Sequence, residues 1–200
     1  MKGHYSGVPE GRFFTFERQE VTPDDFAAPG YILDVGGGGE GVIGLLKGKQ
    51  VIAIDSNKEE LEDAASGPLK VVMDATELQF LDESFGAATS FYSLMFIDAA
   101  DHPKVFEEVY RVLQPGGRFL IWDTSLPPRQ DEKTDIAVIP VTVKVRGSEV
   151  TTGYGIRWPE KGRALSYYVG LAQGAGFEIV VQACEGQAIY LELRKPQLAG

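Results

Sequence analysis

From Tyr31 onward the chain alternates short apolar runs with segments of helical pattern, and the first run opens directly into Asp34-Val35-Gly36-Gly37-Gly38-Gly39-Glu40-Gly41. The runs cover 31–35, 51–54, 69–73, a stretch within 87–97, and 118–122. Helical patterns cover 42–46, 57–65 and 103–113. In the last of these, Val105, Phe106, Val109, Val112 and Leu113 recur at the spacing that puts them on one face. Glu107, Glu108 and Arg111 face away, with Glu107 and Arg111 spaced for an ion pair. Gln114-Pro115-Gly116-Gly117 ends the helix. Strands joined through helices by short links predict a doubly wound α/β fold with a mostly parallel sheet, covered on both faces. Its crossovers should be right-handed.

The flanks follow other rules. Residues 1–30 are punctuated by glycine and proline and suit a lid or cap segment. Thr22-Pro23-Asp24-Asp25-Phe26 predicts a helix start, with Thr22 as cap and Pro23 in the first turn. Residues 127–135 predict an exposed loop. Segments 136–145 and 150–156 predict a hairpin around Gly147-Ser148, so that 136–158 is an insertion beside the pocket. A helix over 163–175 and a strand pair at 177–181 and 188–193 close the chain, and 196–200 should fray. A length of 200 residues suits a single domain over 1–200.

Composition excludes several function classes. With 29 acidic and 19 basic residues the net charge is -10, which repels a phosphate backbone. Nucleic acid is therefore not an expected partner. The single cysteine, Cys184, has no partner for a zinc cluster and is expected in the core of a C-terminal strand. No metal site is expected. No apolar run reaches membrane-spanning length and no apolar leader follows Met1, so a cytoplasmic protein without a membrane partner is expected.

The glycine cluster is the first candidate site. Glycine tolerates unusual backbone angles and close approach of a ligand. A strand end at the mouth of a doubly wound sheet is where such folds bind ligands. The same cluster could be no more than a turn, but four consecutive glycines are costly to order. Asp55, 19 residues after Gly36, ends the second run with Ser56 beside it. It could accept both hydroxyls of a ribose, cap the next helix, or do both. Asp74 and Ala75 end the third run in the same way. Gly36, Gly37, Gly38, Asp55 and Asp74 would then share one rim.

In these segments the chain resembles the class I S-adenosylmethionine-dependent methyltransferases, over roughly 31–123. It is most similar to their small-molecule, methyltransferase type 11-like branch, which includes quinone-pathway methylases. The resemblance rests on Ile32-Leu33-Asp34-Val35-Gly36-Gly37-Gly38, Val51-Ile52-Ala53-Ile54-Asp55, Met73-Asp74-Ala75, and the run from Glu108 through Pro115-Gly116-Gly117 to Phe119. It implies a seven-stranded Rossmann-like sheet with an antiparallel last strand, and S-adenosyl-L-methionine as cofactor. By position, Asp34 would lie near the amino end of the methionine part, with Gly36 and Gly38 along its backbone. Asp55 would bind the ribose and Asp74 the adenine amine, with Ala75 beside the ring. Tyr92, Ser93 and Leu94 would floor the pocket near the methyl group. One position departs from the family: its third loop glycine is Glu40 here, either a helix cap or a partner for the ligand's cationic part.

The resemblance implies methyl transfer to a small acceptor, which an aromatic-lined pocket would make partly apolar. His102 is the candidate base, by virtue of its pKa, unless it is only a loop histidine beside a helix end. Asp98 and Asp101 share its loop. Tyr5, Arg12, Tyr154, Arg157 and Trp158 are candidate lid residues. The run Phe91-Tyr92-Ser93-Leu94-Met95-Phe96 replaces the Asn/Asp-Pro-Pro-aromatic run common in amino methylases of nucleic acid bases. Two rivals stand beside this reading. One is a nicotinamide-dependent oxidoreductase, which shares the glycine loop. The other is a non-catalytic S-adenosylmethionine-binding or regulatory protein on the same scaffold. The oligomeric state stays open.

Overall fold

The computed structural model describes residues 8–129 and 131–197. The expectations for Tyr5 and for the last three residues lie outside them. Seven strands form the main sheet: β3 (Ile32–Val35), β4 (Val51–Asp55), β5 (Leu69–Val72), β6 (Phe85–Phe91), β7 (Leu113–Thr124), β10 (Glu178–Glu185) and β11 (Ala188–Arg194). Their spatial order is β10-β11-β7-β6-β3-β4-β5. The five strands from β7 to β5 are mutually parallel, and β11, the last strand, runs antiparallel to both neighbours. The order reverses at β3, between β4 and β6, so the carboxyl ends there splay into a crevice.

Among the described residues four α-helices accompany the strands: α1 (Val42–Lys47), α2 (Lys58–Asp63), α3 (His102–Val112) and α4 (Leu165–Gly174). Val105, Phe106, Val109 and Val112 of α3 are fully buried with Phe119, Ile121 and Leu191 on one face of the sheet, where α4 adds Tyr168 and Ala172. On the other face α1 shares the cover with a second sheet. There β1 (Phe13–Thr15) and β2 (Gln19–Val21) pair in succession with one edge of β8 (Ile136–Val145), while β9 (Ser148–Arg157) pairs with its other edge. The β8–β9 connection is the two residues Arg146 and Gly147, both at positive φ, one position earlier than expected. That two-residue geometry matches the twist of the flanking strands. Ile139, Val141 and Val143 of β8 bury themselves against Ile43, Leu46 and Phe91.

Four local expectations need correction. Residues 22–26 form no helix. The stretch is held by distant side chains instead: Lys47 donates to the Phe26 carbonyl and pairs with Asp25, and just beyond it Arg118 donates to the Ala27 carbonyl and Gln50 to those of Ala28 and Gly30. Phe26 anchors the segment in the core. Glu108 is buried, and Arg111 pairs with it and with Asp82, not with Glu107. Gln114–Gly117 belongs to β7, where the register with β6 shifts and Gly116 takes a φ of 78°. Cys184 does lie on a C-terminal strand, but β10 is the sheet edge and the thiol is exposed. No helix among the described residues is long and apolar enough to cross a membrane.

Candidate cofactor and acceptor site

A cavity of about 490 Å³ opens where β3, β4, β5 and β6 end. That size suits a small-molecule ligand. Asp34, Gly36, Gly37, Gly38, Asp55, Ser56, Asp74, Ala75 and Ser93 all line it. Two expected residues do not. Leu94 is fully buried beneath the floor, and so is His102 at the start of α3. One His102 ring nitrogen, Nε2, lies 2.8 Å from the Leu94 carbonyl, and Nδ1 lies 2.8 Å from the Tyr167 hydroxyl. Burial pushes its imidazole below the ordinary range, against the bond to Leu94. Of the lid candidates among the described residues, Tyr154 lines the cavity, and Arg12, Arg157 and Trp158 do not. Arg12 pairs with Asp135, and Trp158 donates to the Pro127 carbonyl beside Phe14 and Phe16.

The glycine turn is a packing device. The Gly36 and Gly37 amides both donate to the Ile54 carbonyl at 2.9 Å, and Gly39 donates to Glu60 at 2.8 Å. Gly36 has a φ of 71°, and a β-carbon there would stand 2.3 Å from that of Ser93. Ser93 itself is fixed by its hydroxyl, which donates to the Val35 carbonyl at 2.7 Å. The loop therefore lies flat against the ends of β4 and β6 and keeps the mouth of the cavity open.

Each carboxylate has a local support. Asp34 is buried, and its Oδ1 accepts from the Thr89 hydroxyl at 2.8 Å. Burial pushes its carboxyl up to about 7; the Thr89 bond opposes this and the charge of Asp55 adds to it. Asp55 accepts from the Asn57 amide at 2.9 Å, and Asn57, not Ser56, caps α2 through the Glu59 amide. Asp74 accepts from the amide and hydroxyl of Thr76, which hold its carboxyl below the ordinary range.

Sequence reasoning missed other lining residues. Asn57, Thr76 and Ile97 reach the cavity from segments between the main-sheet strands and helices, Glu60 from α2 and Val105 from α3. At the aromatic end, Tyr92 has a φ of 48°, rare for a bulky residue, and its hydroxyl donates to Gln19 of β2. Tyr154 stacks on it at 5.5 Å between centroids, with Phe96 edge-on. Burial raises both phenols, with Asp123 adding to Tyr92 and Glu40 to Tyr154, so each stays protonated near neutral pH. Among the described residues the lining holds Asp34, Glu40, Asp55, Glu60, Asp74, Asp98 and Asp101 but no lysine, arginine or histidine. No described cluster has the makings of a metal site.

Comparison with known proteins agrees with this geometry. Residues 33–121 match the family model described as a methyltransferase domain. An S-adenosylmethionine-dependent methyltransferase from Methanosarcina mazei superposes with a TM-score of 0.60 at 18% identity, covering 87% of this chain and 96% of that one. The cyclase SpnF gives 0.57 at 18% identity, covering 84% and 77%. The chain has the class I S-adenosylmethionine-dependent methyltransferase fold. Its likeness to the methyltransferase type 11-like branch is carried by residues 33–121. Among curated proteins, the ubiquinone/menaquinone biosynthesis C-methyltransferase of Desulfotalea psychrophila is 36% identical over 109 residues, 50% of this chain and 44% of that protein. The chain spans about half the length of the first curated relatives it matches.

Proposed function

We propose that this chain binds S-adenosylmethionine in the 490 Å³ cavity and transfers its methyl group to a small, partly apolar acceptor. The observation that carries the reading is the convergence of the glycine turn, Asp55 and Asp74 on one rim at the carboxyl ends of β3, β4 and β5. Asp55 accepts the ribose hydroxyls and Asp74 the adenine amine, with Ala75 against the ring. Asp34 faces the ammonium group, and Gly36, Gly37 and Gly38 leave room along the methionine part. Ser93 supports the floor. The cofactor supplies a methyl group activated on a sulfonium, open to in-line displacement.

The protein's own work is alignment and exclusion of water. With His102 sealed in the core and both phenols held protonated, the acceptor brings its own lone pair. Phe91, Tyr92, Phe96 and Tyr154 make its wall. Seven carboxylates and no cation in the described lining favour a neutral or cationic acceptor over an anionic one. The fold is shared with a cyclase, so binding and transfer need separate tests. A cofactor-consumption screen over amines, phenols and carboxylic acids is the test of transfer. Turnover of neutral or basic acceptors is expected. Tight cofactor binding without turnover of any class would favour a non-catalytic binding protein.

A further inference from the structure

We propose that Glu40 is a positioning residue that ties the cofactor loop to the acceptor-side wall, so that occupancy of the cofactor site fixes Tyr154. The inference rests on the assignment of the cavity as a cofactor site. Glu40 stands where the resemblance calls for glycine, between Gly39 and Gly41, whose φ values are 62° and 56°. It is not the cap of α1; Gly41 holds that position, with no side-chain cap. Instead its Oε1 accepts from the Thr152 hydroxyl at 2.7 Å and its Oε2 from the Tyr154 hydroxyl at 3.2 Å. Thr152 and Tyr154 are two apart on β9 and so share one face of that strand.

The linkage continues beyond Tyr154. Its ring stacks on Tyr92, the Tyr92 hydroxyl is held by Gln19, and the Gln19 amide donates to Thr124 at 3.0 Å. One carboxylate thus joins a glycine-flanked turn to the second sheet and, through two aromatic rings, to the end of β7. Any ordering of residues 36–41 by a bound cofactor reaches β9 through Glu40. The expected consequence is ordered binding, cofactor before acceptor, because the acceptor wall is set only once the loop is set.

Hydrogen exchange with S-adenosylhomocysteine as probe tests this without knowledge of the acceptor. In the wild type the probe should slow exchange in both 36–42 and β9, by at least about fivefold. In Glu40→Ala, and separately in a Thr152→Val/Tyr154→Phe double variant, protection of 36–42 should persist while that of β9 falls away. The double variant leaves the loop untouched and serves if Glu40→Ala does not fold. Equal β9 protection in wild type and variants, or none in a wild type that binds the probe, would overturn the proposal. A wild type that does not bind the probe at all would strike the cofactor assignment instead.

Discussion

A β-carbon placed on Gly38 would stand 2.8 Å from Oδ2 of Asp55 and 2.7 Å from the β-carbon of Glu60. The turn after β3 and the carboxylate ending β4 are therefore in direct packing contact, and the space between them admits no side chain. Gly38→Ala is expected to push Asp55 off its position. The cost should be about 1–3 kcal/mol of stability, from overpacking. Affinity for S-adenosylhomocysteine should fall by about tenfold or more, since about 1.4 kcal/mol of lost contact is already tenfold. Urea unfolding and titration calorimetry on the same variant read the two effects; unchanged values in both would refute the contact.

Asp34 is expected to make cofactor binding pH-sensitive. Its carboxyl is raised to about 7, chiefly by burial, so between about 4 and 7 the folded protein holds a proton that the unfolded chain releases. The folded state binds more protons in that window, so this group lowers stability as pH rises through it and adds no further change above. Cofactor affinity should move the other way, because only the ionised carboxylate attracts an ammonium group. Between pH 6 and pH 8 the dissociation constant for S-adenosylhomocysteine should tighten by about tenfold, the ratio of ionised fractions for a pKa near 7. Asp34→Asn should abolish that pH dependence, and its persistence would remove Asp34 from the role.

His102 is expected to serve the fold. Its ring joins the loop carbonyl of Leu94 to Tyr167 of α4, with no access to the cavity. His102→Ala should cost about 2–4 kcal/mol, from a buried void and two lost hydrogen bonds. S-adenosylhomocysteine should still bind at saturating folded protein. A variant as stable as wild type but devoid of turnover would restore the catalytic base.

Arg111 braces the segment that follows Asp74 and Ala75. It donates to the carbonyls of Leu78 and Phe80 and to Glu108 and Asp82. Arg111→Ala leaves the buried Glu108 without this partner, so a loss of about 2–3 kcal/mol is expected in chemical denaturation. A change under about 0.5 kcal/mol, the range of ordinary surface substitutions, would show that the loop holds without it.

The main sheet was legible because apolar strand runs and α3 obey simple periodicities, and because glycine and acidic residues mark the strand ends. What escaped was set by distant partners. The segment 22–26 has every local mark of a helix start, yet Lys47 claims Asp25 and the Phe26 carbonyl from further along the chain, while Arg118 and Gln50 claim the carbonyls of 27, 28 and 30. Cys184 reads as a core residue by type, and only the strand order puts β10 at the edge. Histidine as a residue type has an unperturbed pKa suited to a base, but the depth of His102 depends on how α3 packs on α4. Glu40 stood out as a departure from a glycine pattern; its partners lie 112 and 114 residues further on, beyond the reach of any local rule.

In the proposed function the carboxylates at the ends of β4 and β5 grip the nucleoside and the glycine turn borders the methionine part. Titration calorimetry with S-adenosylmethionine, S-adenosylhomocysteine and NAD, on wild type and Asp55→Ala, addresses it most directly. Both sulfur ligands should bind the wild type, NAD should not, and the variant should bind more than about tenfold more weakly through the loss of hydrogen bonds to the ribose. Binding of NAD alone, or an unchanged dissociation constant in a folded Asp55→Ala variant, would contradict it.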